Sequence, residues 1–183
     1  TVHFVRPMDL CHLKHSELEE KYHKYKGRVV IRGDQIEDET AFYAVFSEKG
    51  SSASSLAAAK FLDAIACAPG NDGQDMDAIA AYTQVVLADY EPEVETWIAL
   101  PRNRRPAWWD KFEDPVCLLR LNLYGHPRAG YYWEKHSTKT VLSEGFEPVP
   151  GWESLFFHRE MKLFLGVYVD DYRLMGKKET LPI

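Results

Sequence analysis

Tyr168-Val169-Asp170-Asp171 sets two carboxylates side by side between two apolar, β-prone runs, Leu163 to Val167 and Tyr172 to Met175. Such flanks predict a β-hairpin with the Asp pair at its tip. Within a continuous strand, neighbouring side chains point to opposite faces, so Asp170 and Asp171 cannot serve one site there. At a turn that alternation is broken, and both reach the same volume. Two carboxylates held together repel, and a divalent cation relieves the repulsion. The plain alternative is an acidic turn that is simply solvated, because Asp is a common turn residue.

A third carboxylate arrives from upstream. Gln74 to Asp77 predicts a short strand delivering Asp77, with a turn or helical start over Ala80 to Thr83. Asp75, in the same stretch, reads as an ordinary loop carboxylate. Two basic segments accompany these acids. Lys26 to Gly33 reads as a strand and pairs, in this reading, with Ala41 to Phe46 as a hairpin carrying Lys24, Lys26, Arg28 and Arg32. It is either a phosphate grip or an ordinary solvated strand face. Arg102, Arg104 and Arg105 lie in a proline-bounded loop before Trp108 and Trp109. Arginines beside exposed aromatics bind a nucleic-acid strand by phosphate contact and stacking; the equal alternative is that the Trp pair packs the loop down.

The remaining elements would position these groups. Residues 1–13 show no clear periodicity, and Ser16 with Glu19 suggests a capping box for a short helix through Lys24. Ser51 or Ser52 caps a helix whose buried stripe is Ala58, Phe61, Leu62 and Ile65, ended by Pro69-Gly70. Glu95 to Leu100 and the apolar run Val116 to Leu123 read as strands. A helix follows from about Tyr131 to Ser143, with Trp133 and Leu142 in the core and Gly145 as its cap; Trp152 to Phe157 reads as a further strand.

Composition bounds the class. A chain of 183 residues that is 45% hydrophobic and 13% aromatic is globular, with one domain, or one domain and a small appendage. A net charge of −6 argues against a broad nucleic-acid surface but leaves room for local basic patches. Cys11, Cys67 and Cys117 are odd in number and widely spaced, implying no disulfide framework and fitting a reduced intracellular compartment. Cys11, His12, His15 and His23 match no zinc spacing. No stretch reaches the ~18 apolar residues of a membrane span, and Thr1 to Leu13 lacks a signal-peptide core. The missing initiator Met and the abrupt end at Leu181-Pro182-Ile183 suggest a segment of a longer polypeptide.

In this order and spacing, four segments resemble reverse transcriptases, specifically copia-type retrotransposon polymerases. Met76-Asp77 with Ala81-Tyr82 resembles the first catalytic motif. Leu123-Tyr124-Gly125, then Arg128-Ala129 and Trp133, resembles Leu-Tyr-Gly-Leu-Lys-Gln-Ala-Pro-Arg-x-Trp. Tyr168-Val169-Asp170-Asp171 is similar to the signature hairpin, and Lys26-x-Arg28-Val29-Val30 to the Lys-Ala-Arg-Leu-Val finger strand. The resemblance covers roughly residues 24–178 and implies an α+β fold: a right-hand polymerase palm, an antiparallel sheet backed by helices, with a partial fingers hairpin. The implied division is an N-terminal segment of no evident structure over residues 1–23, the partial fingers hairpin and helix over 24–70, the palm core over 71–178, and a truncated end over 179–183.

The implied activity is RNA-directed DNA polymerisation, adding deoxynucleotides to a primer on an RNA or DNA template by two-metal phosphoryl transfer with Mg²⁺ or Mn²⁺. Asp77, Asp170 and Asp171 would hold the metals and act as the catalytic carboxylates. Lys26 and Arg28 would hold the triphosphate. Tyr82 would lie beneath the sugar and exclude a 2′-hydroxyl, and Gly125 with Arg128 would line the nucleotide pocket. The remainder of a polyprotein is an expected partner, no membrane is, and the expected location is a cytoplasmic particle or the nucleus. Two departures stand out: Arg128 replaces the family's Gln, and Ala129-Gly130 its Ala-Pro. Arg lacks the paired donor and acceptor of Gln. Only 12 residues follow Asp171, which leaves no room for a thumb or an RNase H domain. The second expectation is therefore an inactive mobile-element remnant with at most weak nucleic-acid binding; a metal nuclease has no supporting motif.

Overall fold

In the computed structural model, which describes residues 1–46 and 53–182, eleven strands and two helices are formed. The chain enters through β1 (Val2–Val5), β2 (Pro7–Lys14), β3 (Lys24–Ile31) and β4 (Glu37–Asp38). Next come α1 (Leu56–Ala66), β5 (Asn71–Asp77), β6 (Glu95–Ile98) and β7 (Cys117–Leu118). It ends with α2 (Ala129–Ser143), β8 (Glu147–Pro148), β9 (Leu155–His158), β10 (Leu163–Tyr168) and β11 (Asp171–Lys177). The architecture is α+β, with two compact units: residues 1–48 with 82–129, and residues 49–81 with 130–183.

In the first unit, β1 lies between β4 and β6 in a four-stranded sheet of order β4-β1-β6-β7, over a core of Val5, Ile31, Ile36 and Ile98. The β1–β6 pair is parallel, the exception in an otherwise antiparallel set of ladders among the described residues. β3 pairs with β2, not with residues 41–46 as expected; those residues meet the β4 region instead, through a bridge between Tyr43 and Glu37 and a bond from Ala44 N–H to the Ile36 carbonyl. Residues 1–13 therefore hold two strands where no periodicity was visible. The expected helix through Lys24 reduces to one 3₁₀ turn, Glu20–Tyr22, and Lys24 already opens β3. The apolar run 116–123 forms only the two residues of β7. Its later backbone groups are taken up singly, Leu119 N–H by the Thr96 carbonyl and Asn122 N–H by that of Val85.

The second unit is a sheet of order β5-β11-β10-β9-β8. Period-2 alternation sends Val167, Leu165, Leu174 and Leu163 towards Val141 of α2, and Gly166 and Met175 towards Leu62 of α1. Gly166 makes room there: a Cβ would meet the Leu62 side chain, which would have to shift. α1 carries its expected stripe, with Ala58 and Leu62 buried. Its cap is Ser55, whose Oγ accepts from Ala58 N–H at 3.2 Å. Ser51 and Ser52 lie outside the described residues. Gly70 and Gly145 both take positive φ, +77° and +86°, just beyond the two helices. Leu142, expected in the core, is exposed on the outer face of α2, whereas Trp133 is buried.

Candidate active site

β10 and β11 are joined by a two-residue turn, Val169-Asp170, with Tyr168 and Asp171 as the closing pair. Val169 has φ +58°, and Asp170 is not left-handed, the pattern of a type II′ turn in which Gly is the favoured first residue. A β-branched residue in that conformation is strained. Two contacts hold it: Trp133 Nε1–H donates to the Val169 carbonyl at 2.6 Å, and Ala78 N–H donates to the Asp170 carbonyl at 2.8 Å. Beside them, Tyr172 and Ser137 share a hydroxyl hydrogen bond of 2.6 Å; burial pushes the phenol pKa up, against the lowering effect of that bond.

The second of these contacts comes from the chain leaving β5, whose last residue, Asp77, stands directly opposite Asp171 in the β5–β11 ladder. Cross-strand partners share a face, so the ladder itself sets the Asp77–Asp171 spacing. Asp170 enters from the turn. The result is one group, Asp77, Asp170 and Asp171, whose ligand oxygens all lie within 4.8 Å of one another. Asp77 and Asp171 are exposed and Asp170 is half-buried. It is the one such His/Cys/Asp/Glu group among the described residues; Cys11, His12, His15 and His23 form none.

Asp75 is not a loop residue. It lies in β5 on the face of Asp77, opposite Arg173 of β11. Arg173 Nε donates to Asp75 at 3.1 Å, and its NH2 donates to Asp63 of α1 at 2.6 Å. The bond to Asp63 first, then that to Asp75, holds the guanidinium pKa above its ordinary value. The i+2 spacing of Asp75–Asp77 and of Asp171–Arg173 was a legible signal; the approach of Asp63 was not.

The other predicted residues belong to the first unit. Lys26 and Arg28 are exposed on one face of β3, opposite His12 and Leu10 of β2. Tyr82 packs against Tyr124 with the rings tilted, centroids 4.6 Å apart. Gly125 has φ +85°, and a Cβ there would run into the Ile31 carbonyl, so the close approach of β3 by itself demands glycine. Arg128 forms a partly buried ion pair with Glu91 and lies over the Phe46 ring, 5.7 Å from its centroid. Glu91 had no signal in the sequence. In the basic loop, Arg104 binds both Asp9 oxygens at 3.0 Å and Arg105 Nε donates to the Leu100 carbonyl, while Arg102 is exposed. The tryptophans divide: Trp109 is buried and Trp108 is exposed.

An α+β chain that gathers three carboxylates at one hairpin has the oxygen donor set of a hard divalent cation. Residues 6–181 match the reverse transcriptase (RNA-dependent DNA polymerase) family, and the chain belongs to that family. No curated protein and no solved structure gives a significant match. No helix among the described residues is long and apolar enough to cross a membrane.

Proposed function

We propose that this chain is the palm, with part of the fingers, of a copia-type retrotransposon reverse transcriptase, adding deoxynucleotides to a primer on an RNA or DNA template. The observation that carries the proposal is the convergence of Asp77, Asp170 and Asp171 within 4.8 Å, in a chain of this family. Three carboxylates from two strands and a turn fit Mg²⁺, or Mn²⁺, by donor type and charge. Bound there, a pair of such cations supplies the acidity needed at the primer 3′-hydroxyl and the charge that offsets a pyrophosphate leaving group. The chain's own contribution is to hold the ligands: Asp77 and Asp171 by ladder register, Asp170 by a turn pinned through Trp133.

In the same reading Lys26 and Arg28 contact the triphosphate, Tyr82 excludes a 2′-hydroxyl, Gly125 and Arg128 serve the nucleotide pocket, and Arg102, Arg104 and Arg105 meet nucleic acid. One observation favours the second reading, an inactive element remnant. Arg128, where the family has Gln, spends its guanidinium on Glu91. The separating experiment is extension of a DNA primer by one nucleotide on an RNA template, with Mg²⁺ or Mn²⁺, beside Asp170→Asn. The expected result is incorporation that falls by about a thousandfold in the variant, since a metal-held charge is worth several kcal/mol. No incorporation by the parent chain discards activity of this chain alone and leaves a remnant or an incomplete fragment, which restoring a thumb from a related element tells apart.

A further inference from the structure

Two residues back along the β5–β11 ladder from Asp77–Asp171, past the Met76–Tyr172 rung, Asp75–Arg173 is the next pair on the same face, about 7 Å away. Asp63 reaches the same guanidinium from α1. Two carboxylates, Asp63 and Asp75, therefore engage the Arg173 guanidinium, and one of them shares a sheet face with the Asp77–Asp171 pair of the three-acid group. Stability does not explain this arrangement. Asp63 and Asp75 are 59% and 76% exposed, and ion pairs of that kind contribute at most about 1 kcal/mol. The geometry has a different consequence. Without a cation on that rung, Asp75 would be a ligand of the same type as Asp170, on the face of Asp77 and Asp171. A divalent ion could then settle further back from the tip, among Asp75, Asp77 and Asp171.

We infer that Arg173 is a positioning residue: by occupying Asp75 and Asp63 it reserves the divalent cation for Asp77, Asp170 and Asp171. Arg suits the task because its planar fork engages two carboxylates at once, which a Lys point charge does less well. The inference rests on the metal-site reading proposed above and adds to it the residue that selects among its acids.

The test is Mn²⁺ binding to the whole chain, followed by the loss of the free-ion paramagnetic resonance signal, with no nucleic acid present. In the parent chain, Asp170→Asn should weaken Mn²⁺ binding roughly tenfold or more. In an Arg173→Leu background the same substitution should matter less than about twofold, because Asp75 takes the place of Asp170; adding Asp75→Asn should restore the full effect. An equal effect of Asp170→Asn in both backgrounds overturns the inference while leaving the metal site intact. No effect of Asp170→Asn in the parent chain overturns the site reading and the inference together. Should Arg173→Leu fail to fold, Asp75→Asn alone decides: unchanged Mn²⁺ binding supports the inference, and a roughly tenfold loss, marking Asp75 as a ligand already, overturns it.

Discussion

A valine at φ +58° in a two-residue turn costs of the order of 1–3 kcal/mol, and the surrounding bonds must hold it there. The Trp133 indole is the side-chain part of that restraint. Trp133→Phe keeps an aromatic ring in the buried position and removes the N–H, leaving the Val169 carbonyl short of its partner. The expected cost is about 1–3 kcal/mol, read as a lower urea midpoint with an unchanged slope. Asp170 and Asp171 were legible in the sequence because an acidic pair between two β-prone runs is a local pattern. Trp133 read only as core. The carbonyl it serves is 36 residues away in the chain, and no periodicity carries that information.

Among the elements, local pattern identified what the chain forms more reliably than what it pairs with. α1, α2 and the β10–β11 hairpin follow from spacing and flanking turns. β3 was visible as a strand, yet its partner β2 was not, because β2 is exposed along most of its length and shows no alternation of burial. The end of β3 is instead fixed from outside: Ile31 N–H donates to the Tyr124 carbonyl at 2.7 Å, and the next residue, Gly125, leaves space for the Ile31 carbonyl. Gly125→Ala adds a methyl group against backbone in a left-handed conformation. It should destabilise the first unit by about 2–4 kcal/mol, measured by thermal or urea unfolding. A retained fold with weaker nucleotide binding alone would instead favour the pocket role proposed for Gly125.

For the molecule as a whole, acid sensitivity should arise from the first unit. His126 is 6% exposed, and burial, helped by the nearby His3, lowers its pKa from 6.5 to about 4; His3 is lowered in the same direction, mainly by burial. The folded state therefore keeps a neutral imidazole where the unfolded chain takes up a proton. The His126 contribution is complete above pH 6.5 and is lost as pH falls to about 4, up to about 3 kcal/mol in all. Urea midpoints at pH 7 and 4.5 measure this, and His126→Asn should flatten the difference. By itself the sequence determined the reverse transcriptase resemblance, the three acids in chain order, the helices and the hairpin, because backbone periodicity and turn chemistry act over a few residues. Only the tertiary structure decided that β2 partners β3, that Arg128 meets Glu91, and that Asp75 meets Arg173 two residues behind Asp77. Those choices rest on contacts between segments far apart in the chain, one ladder and two ion pairs, whereas periodicity reports only which face of a local element is buried.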